Sequence, residues 1–301
     1  MFYKPGGDAM TADINLSKNY TVPPAGSSRS NEKAWVKPTL ISIAIAYLGL
    51  VLFIPALNVF YQAFKKGVEP FFANLTSPDF LSAAQLTLLI ALIVVPINTV
   101  FGLCAAWVIG RNKFPGRTLL ITILDVPFAI SPVVAGLMIV LLYGRLGWFG
   151  PWLETAGIKI IFAFPGMVLA TAFVTLPFVA REVIPVLEEV GTDQEEAAKT
   201  LGANDWQIFW NVTLPNIRWG LLYGVILTNA RAMGEFGAVS VVSGNIAKKT
   251  QTLPLFVEDA YKQYATQAAF SAAVVLGFLA VVTLVVKEIL ERKTSIKEVK
   301  E

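Results

Sequence analysis

The chain has 301 residues, 55% of them apolar and 15% charged, with 24 basic and 21 acidic side chains. A soluble domain carries roughly 25% charge, and the deficit here is concentrated: the stretches 39–64, 82–110, 118–144, 160–180, 219–247 and 263–286 contain only Asp125, Arg231 and Glu235 as charged residues. That partition excludes an ordinary soluble globule, and the absence of histidine excludes Ser-His-Asp and Cys-His catalysis, an H-E-x-x-H zinc site and a histidine proton relay.

Each stretch has 21 to 29 residues, and a helix needs about 20 to cross the hydrocarbon core. Backbone polar groups in lipid must be satisfied within the segment, so such spans are helical. The ten-residue alternation of a membrane barrel is missing. The predicted fold is an all-α integral membrane protein with about six transmembrane helices. Cys104 is the lone cysteine, which leaves no intrachain disulfide and no expected metal site. No G-x-x-x-x-G-K-[ST] pattern occurs, so the chain is not expected to bind ATP itself.

In chain order, residues 1–37 are polar and aperiodic and read as a disordered tail. The run 39–64 is too long for a cleaved signal and reads as an anchor. A transmembrane domain is expected over 38–290, with a short polar tail at 291–301. Basic residues set the orientation. Placing both termini in the cytoplasm puts 16 Lys and Arg on that side and 7 on the other, with Arg231 inside a span. The outer connection 145–159 carries Trp148, Phe149 and Trp152, which fit an interfacial aromatic belt.

The connection 181–218 is cytoplasmic by this count and has the marks of folded structure. Thr192 and Glu195 fit a capping box for a short helix through Glu196, Ala197, Ala198 and Lys199. Gly202 suits a left-handed C-terminal cap. Asn204 or Asp205 suits the start of a second short helix, which Leu214-Pro215 is expected to end. Small residues on the first helix suit a groove on another protein. A helix lying on anionic lipid is disfavoured by Glu188, Glu189, Asp193, Glu195, Glu196 and Asp205.

Glu196-Ala197-Ala198, then Gly202, Val212 and Leu214-Pro215 resemble the EAA loop of ABC importer permeases, with Val212 standing where the family has Ile. The resemblance implies an ATPase-coupling helix within a loop spanning about 188–217. It also implies that ATP and Mg are held by partner subunits, with no cofactor in this chain. The segment 229–238, which includes Arg231 and Glu235, and the run from Asp125 to Gly136 resemble the sulfate and molybdate permeases of that family. The segments 219–224 and 237–244 are similar to the CysW-type sulfate/thiosulfate subunit in particular.

The resemblance thus implies a multi-pass permease subunit in a bacterial inner membrane, translocating sulfate or thiosulfate into the cytoplasm. Its implied partners are a homologous CysT-type permease, two ABC ATPase subunits and an extracytoplasmic sulfate-binding protein; no nucleic acid is expected. The alternatives are a molybdate or tungstate permease and a secondary anion transporter. The latter would need an ion-coupling site and repeated halves, neither of which is apparent in the sequence.

The charges at membrane depth leave two readings open. Arg231 and Glu235, spaced i, i+4, can pair on one helix face; they form either a packing ion pair or part of an anion pathway. Asp125 suits helix capping or a salt bridge to a nearby base rather than a transport role. Asn98, Asn229 and Ser131 suit interhelical hydrogen bonds or a pathway lining.

Overall fold

A computed structural model describes residues 36–298, and these are helical with short connections. Residues 1–35 and 299–301 lie outside the description, and with them nearly all of the expected N-terminal tail. The chain divides after Ile54 into two compact units.

The described part of the first unit consists of α1 (Val36–Leu48) and a π-helical turn at Gly49–Phe53. It buries none of its residues. Leu40, Ile43, Ile45, Leu50 and Phe53 are all exposed.

The second unit begins with α2 (Ile54–Phe64) and α3 (Val68–Leu75). Helix α4 (Pro78–Arg111) starts where Ser77 accepts a hydrogen bond from the Phe80 N–H at 3.3 Å and Pro78 occupies the first turn, where its missing donor costs nothing. Helices α5 (Arg117–Ala129) and α6 (Pro132–Tyr143) come from one expected span that breaks with a bend of 107°. The cause is local. Pro132 forces the preceding backbone out of the helical region, and Ile130 and Ser131 are extended with ψ of 134° and 135°.

After α7 (Gly150–Thr155), helices α8 (Phe164–Thr175) and α9 (Pro177–Val190) join through helical Leu176. The sequence places the end of this span at residue 180, but the helix continues to Val190. Arg181 and Glu182 therefore move out of the connection and into the candidate span Phe164–Val190.

Helices α10 (Asp193–Thr200) and α11 (Asp205–Ile208) follow, then a π-helical turn at Phe209–Thr213. Leu214-Pro215 does not end a helix. It opens α12 (Leu214–Met233), with Pro215 in the first turn. The expected span 219–247 is interrupted at 234–236 and resumes as α13 (Gly237–Ser243). Helices α14 (Leu253–Lys262) and α15 (Thr266–Glu298) complete the unit, and α15 runs past residue 290, where the membrane domain was expected to end.

Among the described residues, four helical runs are long and apolar enough to cross a membrane, or five when the bent α5–α6 pair counts as one. The runs are Val36–Phe64, Pro78–Arg111, Phe164–Val190 and Thr266–Val286. The expected span 219–247, carried by α12 and α13, is not among them; α12 has 20 residues and is too polar to count.

Helix α9 packs between α4 and α12 through small residues. A Cβ on Gly102 of α4 would lie 2.7 Å from Val179 Cβ, and one on Gly224 of α12 would lie 2.9 Å from Val179 Cα. Val179 is fully buried between them. Lipid tails are as apolar as the side chains, so close packing rather than water exclusion joins such helices. Around this contact Ala106, Val183, Leu187 and Ile217 form one core. Ile90 and Val94 of α4, Ile139 of α6, Met167 of α8, and Val239 and Val242 of α13 belong to another.

Candidate functional site

The α10–α11 loop is held to the helical body by one buried charge cluster. Glu195 Oε1 accepts hydrogen bonds from Arg111 Nε at 3.1 Å, Arg111 Nη2 at 2.8 Å and Thr213 Oγ1 at 2.7 Å. Arg111 Nη1 also donates to the Leu187 carbonyl. The Arg111–Glu195 pair thereby joins the end of α4, the end of α9, the start of α10 and the turn before α12. The Arg111 and Glu195 side chains are 8% and 15% exposed, so the pair is largely desolvated. A second tie comes from Asn216 Nδ2, which donates to Gln194 Oε1 at 2.7 Å, and Arg117 pairs with Glu188 nearby.

The capping expectations are corrected in one place and met in another. Thr192 makes no side-chain cap and instead donates to Glu196 Oε1 at 2.9 Å. Glu195 is drawn away to Arg111 and cannot close a capping box. Asn204 does close one: its Oδ1 accepts from the Gln207 N–H at 2.8 Å, while Gln207 Oε1 accepts from the Asn204 N–H at 2.9 Å. Between the two helices Gly202 has φ +87°, the left-handed region. The Ala203 N–H donates to the Ala198 carbonyl and the Gly202 N–H to the Lys199 carbonyl, the paired bonds of a Schellman cap.

The EAA-pattern residues divide by exposure. Glu196, Ala197, Gly202 and Pro215 are exposed, while Ala198, Val212 and Leu214 are half-buried. Leu201, Trp206 and Trp210 are 89%, 70% and 50% exposed. Phe209 packs edge-on against Trp107 of α4, with ring centroids 5.5 Å apart, and touches both tryptophans of the loop. The loop is therefore a small platform. Its inner side is pinned by Glu195 and Phe209, and its outer side exposes Leu201 and Trp206 among charged residues such as Glu196, Lys199 and Asp205.

Where α12 ends, Arg231 Nη1 lies 2.7 Å from Glu235 Oε2, with side-chain exposures of 34% and 1%. Glu235 Oε1 also accepts from the Ala238 N–H at 2.8 Å. That bond satisfies an orphan donor at the start of α13, so the pair stitches the break between α12 and α13. Asn98 is fully buried and donates to the Ala172 carbonyl at 2.9 Å and Thr175 Oγ1 at 2.7 Å, an interhelical contact between α4 and α8. Asp125 makes its expected salt bridge, to Arg181. Trp148 and Trp152 of the 145–159 segment are exposed.

The sequence reading missed Arg111, Thr213 and Arg181 as partners. Arg111 is 84 residues from Glu195, and no local pattern joins them. The available sign was an arginine closing a long apolar run next to a loop rich in carboxylates.

Long apolar helices with bent or interrupted segments and a pinned, structured loop suit a membrane-embedded subunit. The family model for the binding-protein-dependent transport system inner membrane component matches residues 98–296, and the chain belongs to that family, the permeases of ABC importers. It is 70% identical over 259 residues to the sulfate transport system permease protein CysW of Synechocystis sp., an alignment covering 86% of this chain and 94% of that protein. To the sulfate transport system permease protein CysT of Escherichia coli it is 39% identical over 236 residues, covering 78% of this chain and 85% of that one. The fold is similar to that of a bacterial ABC transporter involved in the import of the acidic polysaccharide alginate, with a TM-score of 0.71, 18% identity, and coverage of 87% and 95%.

Proposed function

We propose that the chain is the CysW-type permease subunit of an ATP-driven importer that moves sulfate and thiosulfate across a bacterial inner membrane into the cytoplasm. The observation that carries the cargo is the 70% identity to a CysW permease across nearly the whole of that protein. Its partners in this reading are a CysT-type permease, two ATPase subunits that hold ATP and Mg, and an extracytoplasmic sulfate-binding protein. Both termini lie in the cytoplasm, and the chain crosses six times, with α12–α13 as an interrupted fifth span.

In this reading Glu196, Ala197, Ala198, Gly202, Val212, Leu214 and Pro215 build the part that couples to the ATPase. The exposed side of α10 and α11, with Leu201 and Trp206, enters a groove on the ATPase. The Arg111–Glu195 pin passes its displacement to α4 and α9. Closure of the ATPase dimer then rocks the helices between inward- and outward-open arrangements, and the binding protein delivers the anion. Arg231 and Glu235 hold the α12–α13 break in shape.

Uptake of labelled sulfate in cells with and without the gene, with molybdate as competitor, tests the cargo. Uptake that depends on the gene and is displaced by thiosulfate but not by molybdate is expected. Displacement by molybdate at equal concentration would assign the chain to a molybdate importer instead.

A further inference from the structure

The α8–α9 helix is the most enclosed of the candidate spans: 50% of its most apolar window is buried, against 28% in α4 and 22% in α15. On this helix Val179, Ala180 and Val183 are essentially buried, yet Arg181 among them is 54% exposed. Arg181 Nε donates to Asp125 Oδ1 at 2.7 Å, and its Nη2 lies 2.7 Å from Asp125 Oδ2, so both carboxylate oxygens are engaged. Asp125 of α5 is itself 31% exposed. The guanidinium carbon sits 4.9 Å over the ring of Phe128, which is 45% exposed and packs edge-on against Phe178.

Position makes this cluster unusual. Arg181 precedes the end of its helix at Val190 by about 14 Å at 1.5 Å per residue. Within the candidate span Phe164–Val190 a charged pair facing hydrocarbon is costly; it is packed away or it lines water. In the Arg231–Glu235 pair the carboxylate is packed away, 1% exposed and capping α13, and only Arg231 is part-exposed, at 34%. The Asp125–Arg181 pair is open.

We propose that Arg181, Asp125 and Phe128 line the water-filled route of the permease, and that Arg181 is the transient contact for the tetrahedral oxyanion. The planar guanidinium fork matches two oxygens of such an anion. Asp125 keeps the contact weak by competing for the same donors, and weak binding is what conduction needs. The anion displaces one carboxylate contact as it passes and the carboxylate returns behind it; no bond is made or broken. The proposal rests on the importer reading above and adds the residues that touch the cargo.

The test uses the assembled transporter in inside-out vesicles, with Cys104, which is exposed, replaced by Ala. Phe128→Cys leaves both charges in place and is expected to react with a negatively charged, water-soluble thiol reagent, more slowly when millimolar sulfate is present. In whole cells Arg181→Gln should lower sulfate uptake by about tenfold, the loss of one charge-assisted contact, while binding-protein-stimulated ATP hydrolysis of the detergent-purified transporter continues. Arg181→Lys should recover a substantial part of the uptake.

An unreactive Phe128→Cys places the cluster against lipid or a partner and overturns the proposal. So does labelling indifferent to sulfate, or equal loss of uptake and ATP hydrolysis in Arg181→Gln. If unmodified transporter moves no sulfate, the importer reading fails on its own, whereas reagent access to Phe128→Cys still reports whether the surface is wet.

Discussion

Arg111 and Glu195, 84 residues apart, meet at 2.8 Å where the last turn of α4 reaches the first turn of α10. Removing one partner of a desolvated pair leaves the other charge buried alone, at a cost of roughly 3 kcal/mol. Glu195→Ala should therefore loosen the α10–α11 loop, lower the melting temperature of the purified complex and weaken ATPase co-purification. The paired change Arg111→Met with Glu195→Leu should recover much of the melting temperature, because it removes the stranded charge. If Glu195→Ala melts and co-purifies like the unmodified protein, the pin does not organise the loop.

Gly202 permits a cleaner prediction than the sequence alone allowed. Its φ of +87° is costly for a β-branched residue, by about 1–2 kcal/mol. A Cβ there meets nothing within 4 Å, so the penalty is one of backbone conformation and not of space. Gly202→Asn, which tolerates this region, should keep most uptake. Gly202→Val should reach the membrane normally yet lose ATPase association and uptake. Equal behaviour of the two variants, read by co-purification and sulfate uptake, would remove the Schellman cap from the coupling argument.

Arg231 and Glu235 are not interchangeable, because Glu235 also accepts from the Ala238 N–H. Arginine has no acceptor, so exchanging the two residues strands that donor at a cost of about 1–3 kcal/mol. The exchange should restore neither assembly nor transport. Glu235→Gln keeps an acceptor for Ala238 and should assemble better than Glu235→Ala. Membrane levels of the three variants decide this; full rescue by the exchange would mean that α13 does not need the cap.

How far the sequence could be read follows from the same residues. The apolar run ending at Arg111 and the Gly202 cap were legible because span length and left-handed backbone are properties of short segments. The capping box at Thr192 was misplaced because Glu195, its needed partner, is claimed by an arginine from α4. Breaks at Ile130–Ser131 and 234–236 were hidden because average hydropathy does not register a Ser-Pro step or a Gly-Glu-Phe interruption inside an apolar run. The helix carrying the fourth expected span runs on past 180 to Val190, a continuation hidden because charge was taken as the boundary, and Arg181 within it pairs with Asp125.

The seam around Val179 should show complementary packing. Gly224→Ala pushes a methyl to within 2.9 Å of Val179 Cα, and Gly102→Ala pushes one to within 2.7 Å of Val179 Cβ. Overpacking of this kind typically costs about 1–3 kcal/mol. Val179→Gly, which removes the clashing Cβ that alanine would keep, should rescue Gly102→Ala better than Gly224→Ala, whose clash is with Val179 Cα. Melting of the purified complexes reads both; equal rescue would contradict this geometry.

Orientation and coupling can be tested by one pair of substitutions in a Cys104→Ala background. Leu146 lies in the 145–159 segment and is fully exposed, and Leu201 on the α10–α11 loop is 89% exposed. Neither side chain is part of a cap or an ion pair, so cysteine at either place should leave the fold intact. The asymmetry of basic residues puts Leu146 outside and Leu201 inside. An impermeant thiol reagent should thus label Leu146→Cys in intact spheroplasts and Leu201→Cys only after permeabilisation. If the outer side of α10 and α11 docks on the ATPase, labelling of Leu201→Cys should fall several-fold when the ATPase is co-expressed, with Leu146→Cys unchanged. Labelling of Leu201→Cys in intact spheroplasts would reverse the topology. Labelling indifferent to the ATPase would keep the topology and move the docking surface elsewhere.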